Sequence, residues 1–509
     1  MVFAHDLKWL TVTACLLLGK ATCFGFSLVG PYADWMQRTN GYHQPGDIGG
    51  PMDIGQGYRW NVPVVTYGFD QSFLDYFGSN GVAAVEGAIQ IINDLPPASQ
   101  MVLTNYPLDI VRFNYTAQAL SLYDLKAATV PLLLEQMGLA PPMRNVFDLR
   151  HFDPILINSD ETTWPPGTIP NLIIERNFDP ETLLPSHSVN GNDYTGEANF
   201  YYDDVWDIIE VPIDPLDDYR SAVADLGNNG PGYPYHDWGM LGAIVSNLTR
   251  DDVGGLRYLL STNTTQFEML LSGVHGVGTN AGAFVNLALR PGVEKITFVR
   301  QQFDSLLERY IPVTNQFVDM YISNNVVMHQ SLERVVAESD FLFSAGEFRA
   351  SRGVAPAYTC TETSNWWNSA AAAGTTNLGP GIIRPQVKIA FGKRGPFVES
   401  DEGPWIHDSE DLRWASFDGT LAPIVIYPES ATFPDANKLK IHLNLIRNDS
   451  ESQIDWEAPV AFGGQAMLQT STNLVDWVSV TNVVNHGGAV DWDFWLPQQP
   501  QRFFRAVPQ

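Results

Sequence analysis

The sequence predicts an α+β body, with a mixed sheet and a few helices, followed by a β-rich region and a C-terminal β-sandwich. Three observations carry this. In the first half of the chain, apolar residues recur three and four apart, at Val82, Val85, Ile89 and Ile92 and again at Val253, Leu256, Leu259 and Leu260; that is the period of a helix with one buried face. From Lys295 onward the pattern changes to β-branched and aromatic runs divided by Asn, Pro and Ser, as strands require. Near the end, Leu439, Ile441, Leu443 and Leu445 alternate strictly with Lys440, His442 and Asn444, a strand with one wet face. The expected divisions are a leader over 1–26, an α+β domain over 27–290, a β-rich region over 291–430 and a sandwich over 435–509.

Bulk properties bound the function. A chain of 509 residues with 45% apolar and 17% charged residues has the profile of a globular protein with room for several cores. A net charge of −28 repels a nucleic-acid backbone or an anionic membrane surface, so neither is expected as the main partner. Calcium, cationic surfaces and neutral polymers are compatible with it, and so is a plain solvated exterior.

Lys8, the apolar run Leu10 to Leu18 and the small residues Ala21, Cys23 and Gly25 have the layout of a secretory signal peptide, cleaved near Cys23 to Gly25. The run is too short to span a bilayer comfortably, and no second apolar stretch of about 20 residues follows, so no transmembrane segment is expected. Cys15 and Cys23 fall in the leader, leaving Cys360 alone. One cysteine makes no internal disulfide, and its surroundings, AYTCTETSNWW, offer no base to activate it.

Taken in order, Gly41 to Gly57 is a glycine-rich loop carrying His43, Asp47 and Asp53. Val62, Val64, Val65 and Tyr67 form a strand that breaks at Gly68 and again at Ser79-Asn80-Gly81. The helix beyond stops at Leu95-Pro96-Pro97, since proline lacks an amide donor and restricts the residue before it. Ser121 to Pro142 predicts a second helix, with Ser121 and Asp124 as a capping-box-like start, a face of Leu125, Ala128, Leu132, Gln136 and Leu139, a kink at Pro131 and a terminator at Gly138. Thr249 with Asp252 starts a third helix, whose positive end Asp251 and Asp252 suit.

A strand, a long helix, a second helix ending in Gly-Leu and the later LTRDDVGGLRYLL together resemble the plan of matrixin-type zinc proteases, over Val62 to Leu260. That family's zinc helix needs His-Glu-x-x-His, two imidazoles one turn apart with a glutamate as base. Here Pro131 to Leu139 keeps Glu135 but has no histidine. The resemblance therefore implies a zincin-like fold without its metal site; ordinary helix packing is the alternative. LQTSTNLVDWVSV with the terminal QRFFRAV resembles the immunoglobulin-like C-terminal module of secreted bacterial proteins, over residues 435–509. That implies a secreted architecture and no particular activity.

The densest chemistry lies in FYYDDVWDIIEVPIDPLDDYR. Asp203, Asp204, Asp207, Asp214, Asp217 and Asp218 are candidate calcium ligands, because Ca²⁺ takes six to eight hard oxygens in flexible geometry. A solvated acidic face is the alternative. Tyr201, Tyr202, Trp206 and Trp238 suit either a sugar platform or a core. His236 and Asp237 are sequence neighbours and cannot orient one another as a dyad. No Gly-x-Ser-x-Gly, Ser-x-x-Lys, phosphate-binding glycine loop or Cys-x-x-Cys occurs. The expectation is a secreted, non-catalytic extracellular or cell-surface protein that binds a polymer or protein surface, or assembles with itself. The alternative is a secreted hydrolase of peptide or polysaccharide, using a carboxylate or metal site within Asp203 to Asp237.

Overall fold

The computed structural model describes residues 25–42, 49–120, 122–152, 171–201, 205–213, 241–278, 281–346, 359–361, 366–368, 381–383, 385–393, 413–419, 423–428, 439–447, 450–460, 464–484, 489–495 and 502–509. The leader expected over 1–26 lies almost wholly outside them. The first described strand, β1 (Phe26–Gly30), is buried along its whole length.

The body is organised around β2 (Val64–Phe69) and the helix that follows it, α1 (Gln71–Asn93). Sequence reasoning starts that helix only after a turn at Ser79 to Gly81; the structure starts it at Asp70, whose carboxylate accepts a hydrogen bond from the Phe73 amide at 2.9 Å. The break falls at Gly78, whose non-helical backbone (φ 57°, ψ −158°) kinks α1 into two helical stretches. The early start brings Phe73 and Phe77 into the core, where their rings lie 4.8 Å apart and Phe77 meets Tyr427 at 5.3 Å.

Helix α2 (Leu125–Glu135) is buried on every side, so it has no solvent face to read from periodicity. Its cap is Asp124, which accepts from the Ala127 amide at 2.8 Å; Ser121 lies outside the described residues. Pro131 sits inside the helix, and Gly138, at φ 110°, ends the turn against the Tyr58 carbonyl, where a side chain would collide. After it, β3 (Asn192–Tyr201) and β4 (Val205–Pro212) pair antiparallel, with Asn199 opposite Asp207. Helix α3 (Arg250–Leu260) begins with the expected capping box between Thr249 and Asp252.

Further body strands include β5 (Gln266–Met269), β6 (Val274–Gly276), β7 (Leu287–Arg290), β8 (Thr297–Arg300), β9 (Val313–Ser323), β10 (Val326–Val336), β11 (Phe341–Gly346), β12 (Val387–Gly392) and β13 (Trp414–Ser416). One sheet runs β8-β2-β11-β12, all parallel, with residues 359–361 antiparallel at its edge. It spans the expected boundary at 290/291: β2 comes from before it and its partners from after it. Strand β13 also pairs, in parallel, with Tyr123 and Asp124. A second sheet runs β5-β7-β9-β10-β6.

At the C-terminus, β14 (Leu439–Arg447) pairs with β15 (Ser450–Ala458), and β16 (Gln465–Ser471) pairs with β17 (Val478–Val484). Strand β18 (Ala489–Trp495) then joins β14, and β19 (Phe503–Pro508) joins β16. Leu439, Ile441 and Leu443 from one sheet share a single hydrophobic cluster with Ala466 and Leu468 from the other. The whole is therefore β-rich, with several sheets and a few helices. Among the described residues no helix is long and apolar enough to cross a membrane.

Candidate functional site

Of the proposed calcium ligands, Asp203, Asp204, Asp214, Asp217 and Asp218 lie outside the described residues, as do His236 and Asp237. Asp207 is placed on β4. Among the described residues no three His, Cys, Asp or Glu side chains come together as a metal site. Glu135, the carboxylate singled out by the zinc-protease resemblance, is 2% exposed. It lines a cavity of about 20 Å³ with Tyr42, Arg144 and Asn145, room for a water rather than a substrate.

The five-stranded sheet instead carries a set of charged side chains on its buried face, beside apolar Leu332 and Val336. Pleating sends alternate residues to opposite faces, and register puts paired residues on the same face. On the inward face lie Glu268, Arg290, Asp319, Gln330 and Arg334, all buried. Arg290 holds Asp319 at 3.0 Å and donates to the carbonyls of Val285, Asn286 and Glu268. Gln330 bonds the second oxygen of Asp319 at 2.6 Å. Arg59 reaches Glu268 at 2.7 Å and the Arg290 carbonyl at 3.0 Å, tying this sheet to the body. Burial pushes the Glu268 carboxyl above its usual range, and the Arg59 guanidinium opposes the shift. From β10, Arg334 clasps Asp340 with two nitrogens, and Asp340 also accepts from the Thr66 amide of the parallel sheet.

With its charges turned inward, the sheet turns apolar side chains out. Register aligns Phe267, Leu289, Ile322 and Val327 in one row across four strands. On one side of it lies Met269 beside Leu287; on the other come Met320 opposite His329, then Val318 opposite Ser331. Val318 is 63% and Val327 52% exposed. The only carboxylate in this outward set is Glu333, held by Gln316 at 2.7 Å and His275 at 3.3 Å.

The sheet also projects. Strands β9 and β10 form a hairpin closed by Asn324 and Asn325, both at positive φ, the conformation a two-residue hairpin turn needs and asparagine tolerates. At its tip Val326 and Met328, which belong to the inward face, are exposed as well. Among the described residues β6 flanks β10 only at Leu332 to Arg334, leaving Val326 to Gln330 as open edge. A smaller hairpin just before β9 presents Leu306, 93% exposed, and Leu307. The arm is thus a rigidly anchored strand pair, apolar on both faces at its end.

Sequence reasoning reads β9 and β10 as strands, leaves β5, β6 and β7 unread, and misses which face is buried, because alternation reveals two faces without saying which is inside. No protein-family model, curated protein or solved structure matches the chain.

Proposed function

We propose that this is a secreted, non-catalytic protein that works by docking its hairpin arm on another protein surface, including a second copy of itself. The observation that carries it is the outward apolar row Phe267, Leu289, Ile322 and Val327, continued by Val318. Singly exposed apolar residues are ordinary, but a connected, charge-depleted row is the composition of an interface core. Its side chains are chiefly aliphatic, which suits packing against protein better than stacking on sugar rings. The same face on two copies can meet about a two-fold axis, the commonest oligomer symmetry. The leader-like segment and the net acidity support export. The two C-terminal sheets, sharing one cluster, support a β-sandwich module of the immunoglobulin-like kind. Calcium at Asp203, Asp204, Asp207, Asp214, Asp217 and Asp218 remains part of this proposal, supported by the local density of carboxylates.

The test is sedimentation of the exported chain against Val318→Asp/Val327→Asp. Concentration-dependent association that the variant loses, at unchanged melting temperature, is expected for self-docking. A wild-type chain that stays monomeric up to about 1 mM overturns the self-docking reading. A variant that associates like wild type removes the arm from the interface.

A further inference from the structure

A second exposed apolar surface lies at the connection between β16 and β17. Val475 is 78% and Leu474 57% exposed, and Val478 beside them is exposed as well. The turn is held in one shape. Asn473 Oδ1 accepts from the Val475 and Asp476 amides at 2.9 and 2.8 Å, and Asn473 Nδ2 donates to the Asp476 carboxylate at 2.7 Å. The Trp477 indole donates to the Leu474 carbonyl at 3.1 Å, and the Arg505 guanidinium of β19 lies 4.1 Å from the Trp477 ring. Arg505 also donates to Gln469 at 2.8 Å; neither partner is a carboxylate. The result is an apolar knob with a cation at its side.

We propose that the hairpin arm receives this knob from a second copy of the chain. The inference rests on the docking reading above and names the surface that fills the arm. At a net charge of −28 two copies repel one another, so contact is favoured where both surfaces are poor in unpaired acid. On the arm's outward face the carboxylate is Glu333, held by Gln316 and His275; at the knob, Asp476 is tied to Asn473. Aliphatic side chains then meet aliphatic side chains, and Arg505 supplies the sign opposite to Glu333. Pairing face with face instead brings two Glu333 carboxylates into one interface, a like-charge arrangement that disfavours it. Knob and face are different surfaces, so the contact is heterologous: a pair leaves one of each unused, and further copies add head to tail.

The experiment uses two variants of the full chain. Val318→Asp/Val327→Asp blocks the face and keeps the knob; Leu474→Asp/Val475→Asp blocks the knob and keeps the face. Aspartate tolerates the positive φ of 62° at Leu474. In sedimentation, each variant alone should associate more weakly than wild type by about tenfold or more. An equimolar mixture should form a two-chain complex and nothing larger, because one intact face meets one intact knob. A mixture that stays monomeric overturns the proposal. If the knob variant associates like wild type and the face variant does not, arm docking stands and the knob is overturned as its partner. A wild-type chain monomeric up to about 1 mM defeats self-docking itself, and this inference with it. Should the knob variant fold poorly, charge reversal decides. Arg505→Glu should weaken association by about threefold, and Arg505→Glu/Glu333→Arg should restore it. No weakening, or no recovery, overturns the contact.

Discussion

Replacing Arg290 by methionine tests the charged inner face of the sheet most directly. The guanidinium makes two contacts to Asp319, at 3.0 and 3.3 Å, and three to carbonyls, at 2.7, 3.0 and 2.6 Å. Methionine fills much of the volume and supplies no donor. Asp319, 6% exposed, is left with Gln330 as its remaining described partner. Removing one partner of a buried ion pair costs about 3–5 kcal/mol. The part-buried Val285 and Asn286 carbonyls can take water, so they add little beyond that. Against a typical total of about 5–15 kcal/mol the loss is large. Urea unfolding followed by tryptophan fluorescence should show the midpoint falling with little change in slope. The second variant, Arg290→Met/Asp319→Leu, removes the stranded charge and should recover most of the loss, because a buried pair contributes little net of desolvation. A cost below about 1 kcal/mol for Arg290→Met, or a double variant no better than the single one, refutes the claim that this sheet is pinned by buried charge.

Three further outcomes follow from particular residues. Asp124, fully buried, has its carboxyl pushed up to about 7 by desolvation, against the pull of the Ala127 and Phe417 amides. Its folded pKa thus lies above its unfolded value near 3.8, so the folded state keeps a proton that the unfolded state has lost. Stability from this group falls as pH rises from about 4 to 7, by at most about 4 kcal/mol, and urea midpoints across that range should lose this slope in Asp124→Asn. Gly78→Ala should cost about 1–3 kcal/mol by thermal melting, because φ 57° with ψ −158° suits glycine alone even where space is open. Chelation of the mature chain should release calcium and lower its melting temperature if the acidic stretch holds the ion; metal analysis finding none ends that proposal.

How much of this was legible follows from what each signal encodes. The capping box at Thr249 and Asp252 is a local device, satisfied within four residues, and it reads directly from sequence. The first stretch of α1 escapes sequence reasoning because Asp70 and the Phe73–Phe77 pair look like loop between the breaks at Gly68 and Ser79 to Gly81. The surrounding rings, Phe343, Phe391, Trp414 and Tyr427, pack around this stretch ahead of the kink at Gly78. The hairpin arm was opaque for a deeper reason. In VTNQFVDMYIS, hydrophobicity alone would bury Val318, Met320 and Ile322 and expose Asp319. The structure buries Asp319, exposes Val318 and leaves Met320 and Ile322 half-buried, because Arg290, contributed from a strand 29 residues away in sequence, makes burial of Asp319 affordable. The partner that decides which face is inside is absent from the local sequence. So the same long-range ion pair that hides the arm from sequence reasoning is what leaves Val318 and Val327 facing outward.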